Sequence, residues 1–579
     1  MRATRRLRPA APRGLEALTR VHRGWVDMTD ETRVEWREWG PDAFAEARAA
    51  DKPVLLSLSA TWCEDCHEMD AETYAEPRIA ANLNDGFVPI RVNVDRQPRI
   101  RERYNMGGFP STVFLAPDGH PITGATFIGP DGMRQVVDRV REVWEKKGAD
   151  AGRLPRALRG DLPPAGEVSP RIESHLAGQL EVAFDEAHGG WGDAAKFPLP
   201  RTVGFALKRD RSRALRSLDA IRDGLFDPVE GGFFRYADDA AWSKPNREKT
   251  LESNAALLRA FANGYRYTGE DAYLDPAAGT AEFLVDSLWT GTGFAGSMGP
   301  AAGTDYYLLG KEGRDNAPGP RTDLTVYAGG NALAADALLV LAGLTDDERA
   351  REFGSRALDR LAEDLVDDGV VTHFRSGGDA GEKLLLEDQA RVVAAACRAR
   401  QVLGDESVAG DPLLAFAADA ADAAIDELFD EGSFLDGPAS GEALLSSPLR
   451  PLDGNVEMAN ALLDLAALTG DERYREVAQE TIGAFAGAWD RIGVQIAAYG
   501  TAAARLLRDP LVVELNDGAG SDLHRAALRV ADHEALVVPE ADADGLADGT
   551  ARVSAGETTV EATTPEELMQ AVSSVTPDA

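Results

Sequence analysis

Cysteine, lysine and histidine are all scarce in this chain. Three cysteines (Cys63, Cys66 and Cys397) among 579 residues cannot build a disulfide framework, so only the local pair carries chemical interest. Nine lysines stand against 52 arginines, and eight histidines leave few groups that titrate near neutral pH. No run approaches the ~18–20 uninterrupted apolar residues of a membrane helix, and no membrane partner is expected. Positive charge is short overall: 61 Lys+Arg oppose 97 Asp+Glu, a formal net charge of −36. A surface of that sign repels phosphate and argues against nucleic acid as a partner. Abundant carboxylates with little lysine suit a protein dissolved in molar salt, where screening makes self-repulsion tolerable. The expected setting is the cytoplasm of a salt-accumulating halophile.

Residues 1–27 reverse that sign, with seven arginines and two acids. No apolar segment follows Arg5-Arg6, so the pair is not read as an export signal. Residues 1–28 are expected to be a disordered basic tail, or to precede a natural start at Met28. The length suits two to four domains, and a hydrophobic fraction of 44% supports a large core. Residues 29–148 alternate helical and strand periods: PDAFAEARAADK, the apolar run Val54–Leu58, a helix from Cys63, the runs Phe87–Val94 and Thr112–Leu115, and a last helix around Gly132–Lys146. That pattern predicts a small α/β domain. Residues 149–170, rich in Pro, Gly and Ala, serve as a linker.

From 171 to about 508 the periods are helical. They cover 173–185, 202–210, 212–226, 251–269, 271–289, 325–345, 346–366, 385–404, 411–429, 455–470, 471–489 and 494–508, twelve helices or six hairpins. Four tight turns recur in kind: Thr268-Gly269-Glu270-Asp271, Thr345-Asp346-Asp347-Glu348, Gly404-Asp405-Glu406 and Thr469-Gly470-Asp471-Glu472. Each joins a helix-ending Gly or polar residue to an N-capping acid. Their irregular spacing does not suit a solenoid of identical repeats and predicts an (α/α)6 toroid. The other connections, among them GGWGDAAKFPLP and GGFFRYADDAAWSKPNREK, are long and would surround the mouth of the ring, where binding function sits. Residues 509–579 return to strands (Leu511–Leu515, Ala535–Pro539 and a hairpin over Ala551–Ala562) with helices at 522–531 and 565–573, a small α/β appendage without an evident site.

The strongest chemical signal is Thr61-Trp62-Cys63-Glu64-Asp65-Cys66-His67, which follows the buried strand and opens a helix. Two intervening residues put the sulfurs one helical turn apart. The first thiol then sits at the helix N-terminus, where the macrodipole and free N–H groups favour thiolate. Cys63 is the expected nucleophile and Cys66 the resolving thiol. Gly107-Gly108-Phe109-Pro110-Ser111-Thr112 precedes an apolar strand, and Pro110 is a candidate cis residue that would shape a groove for an extended peptide. Other uses of the motif stay open. Cys-x-x-Cys-His spells a haem attachment site, a zinc site would need two more ligands, and the pair could be purely structural. Cys397 reads as a buried small residue. No cofactor motif or metal-ligand set is read.

The strand, Trp-Cys-x-x-Cys and the proline before the penultimate strand resemble the thioredoxin fold in order and spacing. Where thioredoxins bury a carboxylate six residues before the first cysteine, this chain has Ser57; Glu64, Asp65 or Glu68 would have to replace that acceptor. Glu64 and Asp65 also oppose thiolate formation by like charge, so a slower dithiol that favours the reduced state is expected. With Trp36, Trp39, Gly40, Ala43 and Phe44 opening the domain, and a six-hairpin region after it, the chain from about residue 29 is similar to the spermatogenesis-associated thioredoxin-domain family. The resemblance implies a toroid akin to six-hairpin glycosidases and N-acylglucosamine 2-epimerases.

Markers of that resemblance are Gly189-Gly190-Trp191-Gly192 with Lys196-Phe197-Pro198, Gly231-Gly232-Phe233 with Arg235-Tyr236, Glu248-Lys249 with Asn254, and Gly454-Asn455. Where the family commonly has His-Phe-Glu-Lys, this chain has Asn246-Arg247-Glu248-Lys249, and Ser253-Asn254 replaces Asp-Asn. Epimerisation needs groups that titrate near neutrality, usually His; of His175, His188 and His373, only His188 is assigned to a rim loop. Glycosidic hydrolysis needs two facing carboxylates, which Glu248, Glu387, Asp388 and Asp453 are candidates to supply. Trp62, Trp191, Lys196, Phe233, Arg235, Tyr236, Glu248, Lys249, Asp388 and Asn455 are the candidate substrate-binding residues, with Trp242 a further rim aromatic. Glu248-Lys249 is alternatively a structural ion pair at a helix start. The expected function is a thioredoxin-like thiol–disulfide oxidoreductase domain, acting on protein thiols or a reductase, fused to a toroid that binds a carbohydrate-like ligand. A toroid glycosidase or sugar epimerase with an accessory first domain, and a non-catalytic scaffold, are the rivals.

Overall fold

Six consecutive enclosed residues, Val54–Ser59 (VLLSLS), make β1, and burial on both faces explains why the run does not alternate with polar residues. Residues 32–300, 306–541 and 545–576 are described in this computed structural model; the expectations for residues 1–28 lie outside them. In chain order the first domain adds α1 (Pro41–Ala50), α2 (Glu64–Met69), α3 (Pro77–Gly86), β2 (Val88–Asn93), α4 (Pro98–Tyr104), β3 (Ser111–Leu115), β4 (Pro121–Ala125) and α5 (Pro130–Lys147). The sheet order is β2-β1-β3-β4, with β1 parallel to β2 and the other pairs antiparallel. Leu56 and Leu58 face one cluster while Leu55 faces the other, as the period of two requires. This is a thioredoxin-like fold. Leu444 and Leu445, far along the chain, complete the first cluster.

The helical region follows as α6 (Pro170–Val182), α7 (Pro200–Arg209), α8 (Arg211–Leu225), α9 (Leu251–Thr268), α10 (Asp271–Phe283), α11 (Ala328–Thr345), α12 (Glu348–Leu365), α13 (Leu386–Leu403), α14 (Leu413–Leu428), α15 (Leu452–Thr469), α16 (Glu472–Phe485) and α17 (Ala498–Leu507), with a short extra helix at Lys311–Asn316. α7, α9, α11, α13, α15 and α17 pack side by side and close on themselves, and each carries one outer helix. The result is an (α/α)6 toroid. α11 shows why burial matters here. It is long and apolar enough to cross a membrane by length and composition, yet 89% of it is buried, because an inner helix is surrounded on all sides.

Five inner helices lead through the shorter connections to outer helices, the sixth, α17, pairs with the opening helix α6, and every outer helix returns through a longer loop, so the inner N-termini share one rim. The short turns follow their capping chemistry: Gly269 and Gly470 take left-handed conformations at φ 68° and 73°, and Asp346 does the same at 58°. Asp347 and Asp471 accept from Ala350 N and Arg473 N as N-caps, whereas Glu270 makes no side-chain cap. The 404–406 turn departs from expectation: a two-stranded hairpin over Ser407–Val408 and Asp411–Pro412 intervenes before α14. Several long connections open alike, with the bridges Phe184↔Trp191, Phe226↔Phe233 and Trp289↔Phe294 and the pair Phe429↔Phe434. In three of them an inner-helix asparagine clamps the second aromatic: Asn254 on Phe233, Asn331 on Phe294 and Asn455 on Phe434, each bonding both backbone N–H and C=O.

The C-terminal region contains β5 (Val512–Asn516), α18 (Asp522–Leu528), β6 (Leu536–Val538), β7 (Thr550–Ala555), β8 (Thr558–Ala562) and α19 (Pro565–Val575). Its order β6-β5-β7-β8, one parallel pair and two antiparallel, repeats that of the first sheet. It seals the rim of short turns: Arg400 donates to Pro539 O at 2.8 Å, His524 Nε2 meets Gln401 O at 2.8 Å, and Arg266 donates to Leu528 O at 2.6 Å.

The first domain seals the opposite rim. Arg103, with its side chain 1% exposed, donates to Asp436 at 2.6 Å, to Leu444 O and Ser447 O at 3.0 Å, and to Arg99 O. Arg99 donates to Leu445 O and pairs with Glu382. Removing one side of a buried pair strands the other charge, at about 3–5 kcal/mol. Arg103→Met is expected to lower the first unfolding transition in denaturant by roughly that amount, and Arg103→Met/Asp436→Leu to recover most of it.

Candidate active site

β1 ends at Ser59, and the chain turns so that Cys63 becomes the N-cap of α2 in an extended conformation. Its sulfur accepts from Cys66 N at 3.1 Å, and the two cysteines are joined, with Cα atoms 5.2 Å apart. The Phe109–Pro110 bond is cis, and the Phe109 ring meets Trp62 edge-on at 5.6 Å. Glu64, Asp65 and Glu68 are exposed, so none of them replaces the buried acceptor missing at Ser57. The carboxyl that stands beside the motif is Asp95, just beyond β2, which accepts from Trp62 Nε1 at 2.8 Å. Loss of water and the nearby Asp323 carboxylate push Asp95 up to about 7.

Toroid loops cover this face. A Cβ on Gly299 would lie 3.1 Å from Thr61 O and 3.2 Å from Trp62 Cα, an approach tight enough that a side chain there would push the neighbouring backbone away. Arg235 lies over the Trp62 ring at 4.4 Å and pairs with Glu248. Burial, helped by Asp95 and Asp65, holds Glu248 up at about 7 against the pull of Arg235. The Asn246 amide, with its nitrogen toward Glu248 at 2.9 Å and its oxygen toward Tyr236 OH at 3.2 Å, satisfies both neighbours. His67 Nε2 meets Thr61 O, and its Nδ1 meets Arg321, both at 2.9 Å.

His373 spans the seam, with Nδ1 2.7 Å from Asp388 and Nε2 2.7 Å from Asp95 O. Burial works against its charge, but Asp388 and the carbonyl raise it to about 9. Inside the mouth, Arg391 pairs with Glu252 at 2.7 Å, with Glu457 at 3.1 Å and with Glu387, while Arg201 pairs with Glu457. Arg391 holds Glu252 down at about 2, whereas burial raises Glu387. From the first domain, Arg101 adds its charge: burial opposes it, and Glu387, Glu102, Glu252 and Asp95 together raise its pKa.

Trp62, Arg235 and Glu248 thus meet at one seam beside Cys63, Cys66 and Pro110. Tyr236 stacks on Phe197 at 4.7 Å on the adjoining rim. The remaining candidates hold the scaffold. Trp191 is buried and donates to Leu180 O, and Trp242 donates to Gly189 O. Lys196 is enclosed, pairing with Asp185 at 2.9 Å, so it is not free to meet an acidic ligand. Phe233 packs on Phe226 and Phe261, and Asn455 is one of the loop clamps. Glu248 and Lys249 do not pair with each other: Lys249 reaches Asp227 at 2.7 Å and Gly231 O. Asp388 accepts from Gly329 N as well as meeting His373. His373, rather than His188 alone, lies in a rim loop; His188 pairs with Asp185. Asp95, Arg101, Arg391 and Glu252 are absent from the sequence-based set. Asp95 directly follows the apolar run, and Glu252 occupies a helix first turn, but in so acidic a chain neither position stands out.

A family model for a DsbH-type thioredoxin domain, described as a protein of unknown function (DUF255), matches residues 16–159. The chain is similar to human spermatogenesis-associated protein 20, 31% identical over 295 residues, or 44% of this chain and 37% of that protein. It is also similar to thiol:disulfide interchange protein DsbD 1 of Pseudomonas aeruginosa, 29% identical over 121 residues, covering 20% of this chain and 19% of that one. The matches therefore span well under half the length of these relatives. A sugar epimerase from a ruminal bacterium aligns with 54% of this chain and 84% of its own at 16% identity and a TM-score of 0.45.

The seam makes stability depend on pH with a definite sign. His373, at about 9 in the folded chain against 6.5 free, stabilises fully below pH 6.5, and that contribution is lost as pH rises through 9. Asp95 and Glu248, raised from 3.8 and 4.5 to about 7, add a loss in the same direction between about pH 4 and 7. Unfolding midpoints should therefore fall from pH 5.5 to 9.5, with up to ~3 kcal/mol from His373. His373→Gln should flatten the profile above pH 7.5.

Proposed function

We propose that Cys63 and Cys66 carry out thiol–disulfide exchange. The observation that carries this is a cysteine at a helix N-cap, joined to the cysteine one turn on and flanked by the Trp62 indole and the Pro110 loop. In the reduced state the α2 N-terminus favours the Cys63 thiolate. That thiolate attacks a disulfide sulfur, forming a mixed disulfide and releasing one thiolate. Cys66 then attacks Cys63 and releases the second. Asp95 keeps Trp62 in place through its ring N–H. The excess of carboxylates and the scarcity of lysine support a cytoplasmic, high-salt setting.

A carbohydrate-directed activity of the toroid is the second reading. It is favoured by two mouth carboxyls held at different pKa values, Glu248 about 7 and Glu252 about 2, the division of labour that acid–base chemistry needs. Melting shifts with mono- and disaccharides test it.

Thiol trapping across a redox-buffer series in molar KCl should give a reversible two-electron transition between about −200 and −300 mV. Cys63→Ser should abolish it, and Cys66→Ser should accumulate mixed disulfides. A pair that no physiological couple reduces would overturn the exchange reading and leave the disulfide structural.

A further inference from the structure

Building on the exchange reading, we propose that the partner of Cys63–Cys66 is a small carboxylate-bearing thiol or its disulfide, and not a folded protein. The face that would receive a peptide is already occupied. Trp62 is 5% exposed, and Cys63 and Cys66 are 3% exposed. Gly299 comes so near that a Cβ added to it would lie 3.1 Å from Thr61 O and 3.2 Å from Trp62 Cα, so the toroid loop stands where an added strand, at about 4.8 Å spacing, would have to lie. Arg235 covers the indole. The seam is also fastened on several sides, by His373 to Asp95 O, Arg96 to Thr325, His67 to Arg321, and Arg99 and Arg103 to the 436–447 loop. Withdrawing the toroid to admit a protein would break all of these together. A small thiol needs only a path to the sulfurs of the 3%-exposed cysteines.

Charge selects the class of small molecule. His67 donates from Nε2 to Thr61 O, which leaves Nδ1 to accept from Arg321. Arg321 is exposed, and among the described residues no carboxylate pairs with it, although acids outnumber bases in this chain. It therefore presents guanidinium N–H groups beside the α2 turn, where a ligand carboxylate can take them. Thr61 Oγ1, two residues before Cys63, is buried without a hydrogen-bond partner among the described residues, a group that a polar ligand atom reaching the turn would satisfy.

The exchange balances. A thiolate RS⁻ attacks Cys63 Sγ, breaking the Cys63–Cys66 bond and leaving Cys66 as thiolate. A second RS⁻ attacks the R sulfur of the mixed disulfide, so that RSSR leaves and Cys63 becomes thiolate. Two thiols lose two electrons, the protein disulfide gains them, and the reverse sequence reduces RSSR.

The oxidised full-length chain is treated with 3-mercaptopropionate, 2-mercaptoethanol or cysteamine at equal thiolate concentration, or with a reduced thioredoxin, and disulfide loss is followed by thiol trapping. 3-Mercaptopropionate should react about tenfold faster than cysteamine. Arg321→Gln should reduce that ratio to about twofold or less, and Arg321→Lys should keep most of it. Reduced thioredoxin should be no faster than 2-mercaptoethanol. Faster reduction by the protein dithiol, or a charge preference absent or unaffected by Arg321→Gln, overturns the proposal while leaving exchange intact. Failure of all four reductants overturns the exchange reading itself.

Discussion

Six inner helices that begin at one rim are the constraint on which the rest of the structure depends. Once the ring closes with short turns on one side, every long connection must lie on the other, and every inner N-terminus opens there. The partial positive charge of those termini favours anions, and Glu252, Glu387 and Asp453 sit in first turns. Arg391 and Arg201 balance them from within. The mouth is consequently lined by an ionic network in which Arg391 is buried while Glu252, Arg201 and Asp453 stay open to solvent, and the thioredoxin-like domain stands over it.

That lid makes one site out of two. Trp62 is held on one side by Asp95 of its own domain and covered on the other by Arg235 of the toroid, while His373 reaches from the toroid to the Asp95 carbonyl. A change at the cysteines therefore has a short route to the mouth, through an indole and two carboxyls that stand at about 7. Neither domain presents its candidate site independently of the other.

The far rim carries a quieter echo. The C-terminal sheet repeats the order and directions of the first sheet, and Ser521 caps α18 by accepting from His524 N as Cys63 caps α2 by accepting from Cys66 N. In the place of the resolving thiol, His524 bonds Gln401 of the toroid. The same local geometry holds the cysteine pair at one end and docks the C-terminal sheet at the other.

Local pattern was enough for much of this. The apolar run at 54–58, the Trp-Cys-x-x-Cys turn, the proline at 110, twelve helical periods and the strand signals after 510 are properties of neighbours in sequence, and the structure places elements at each. Phe233, Asn455, Lys196 and Trp191 could not be judged that way, because a rim aromatic that stacks on a sugar and one that pins a loop have the same local signature. Only the tertiary structure separates them, by spending the Asn455 amide on Phe434 and the Lys196 ammonium on Asp185. It also decided the neighbourhood of the cysteines. Asp95, Glu248, Arg321 and His373 lie up to about three hundred residues from Cys63 in sequence, and nothing local to any of them specifies that ring closure and domain docking bring all four to one seam. Sequence periodicity records which face of an element is apolar; which faces then meet, and which charges lose their water there, follows from how the closed ring packs.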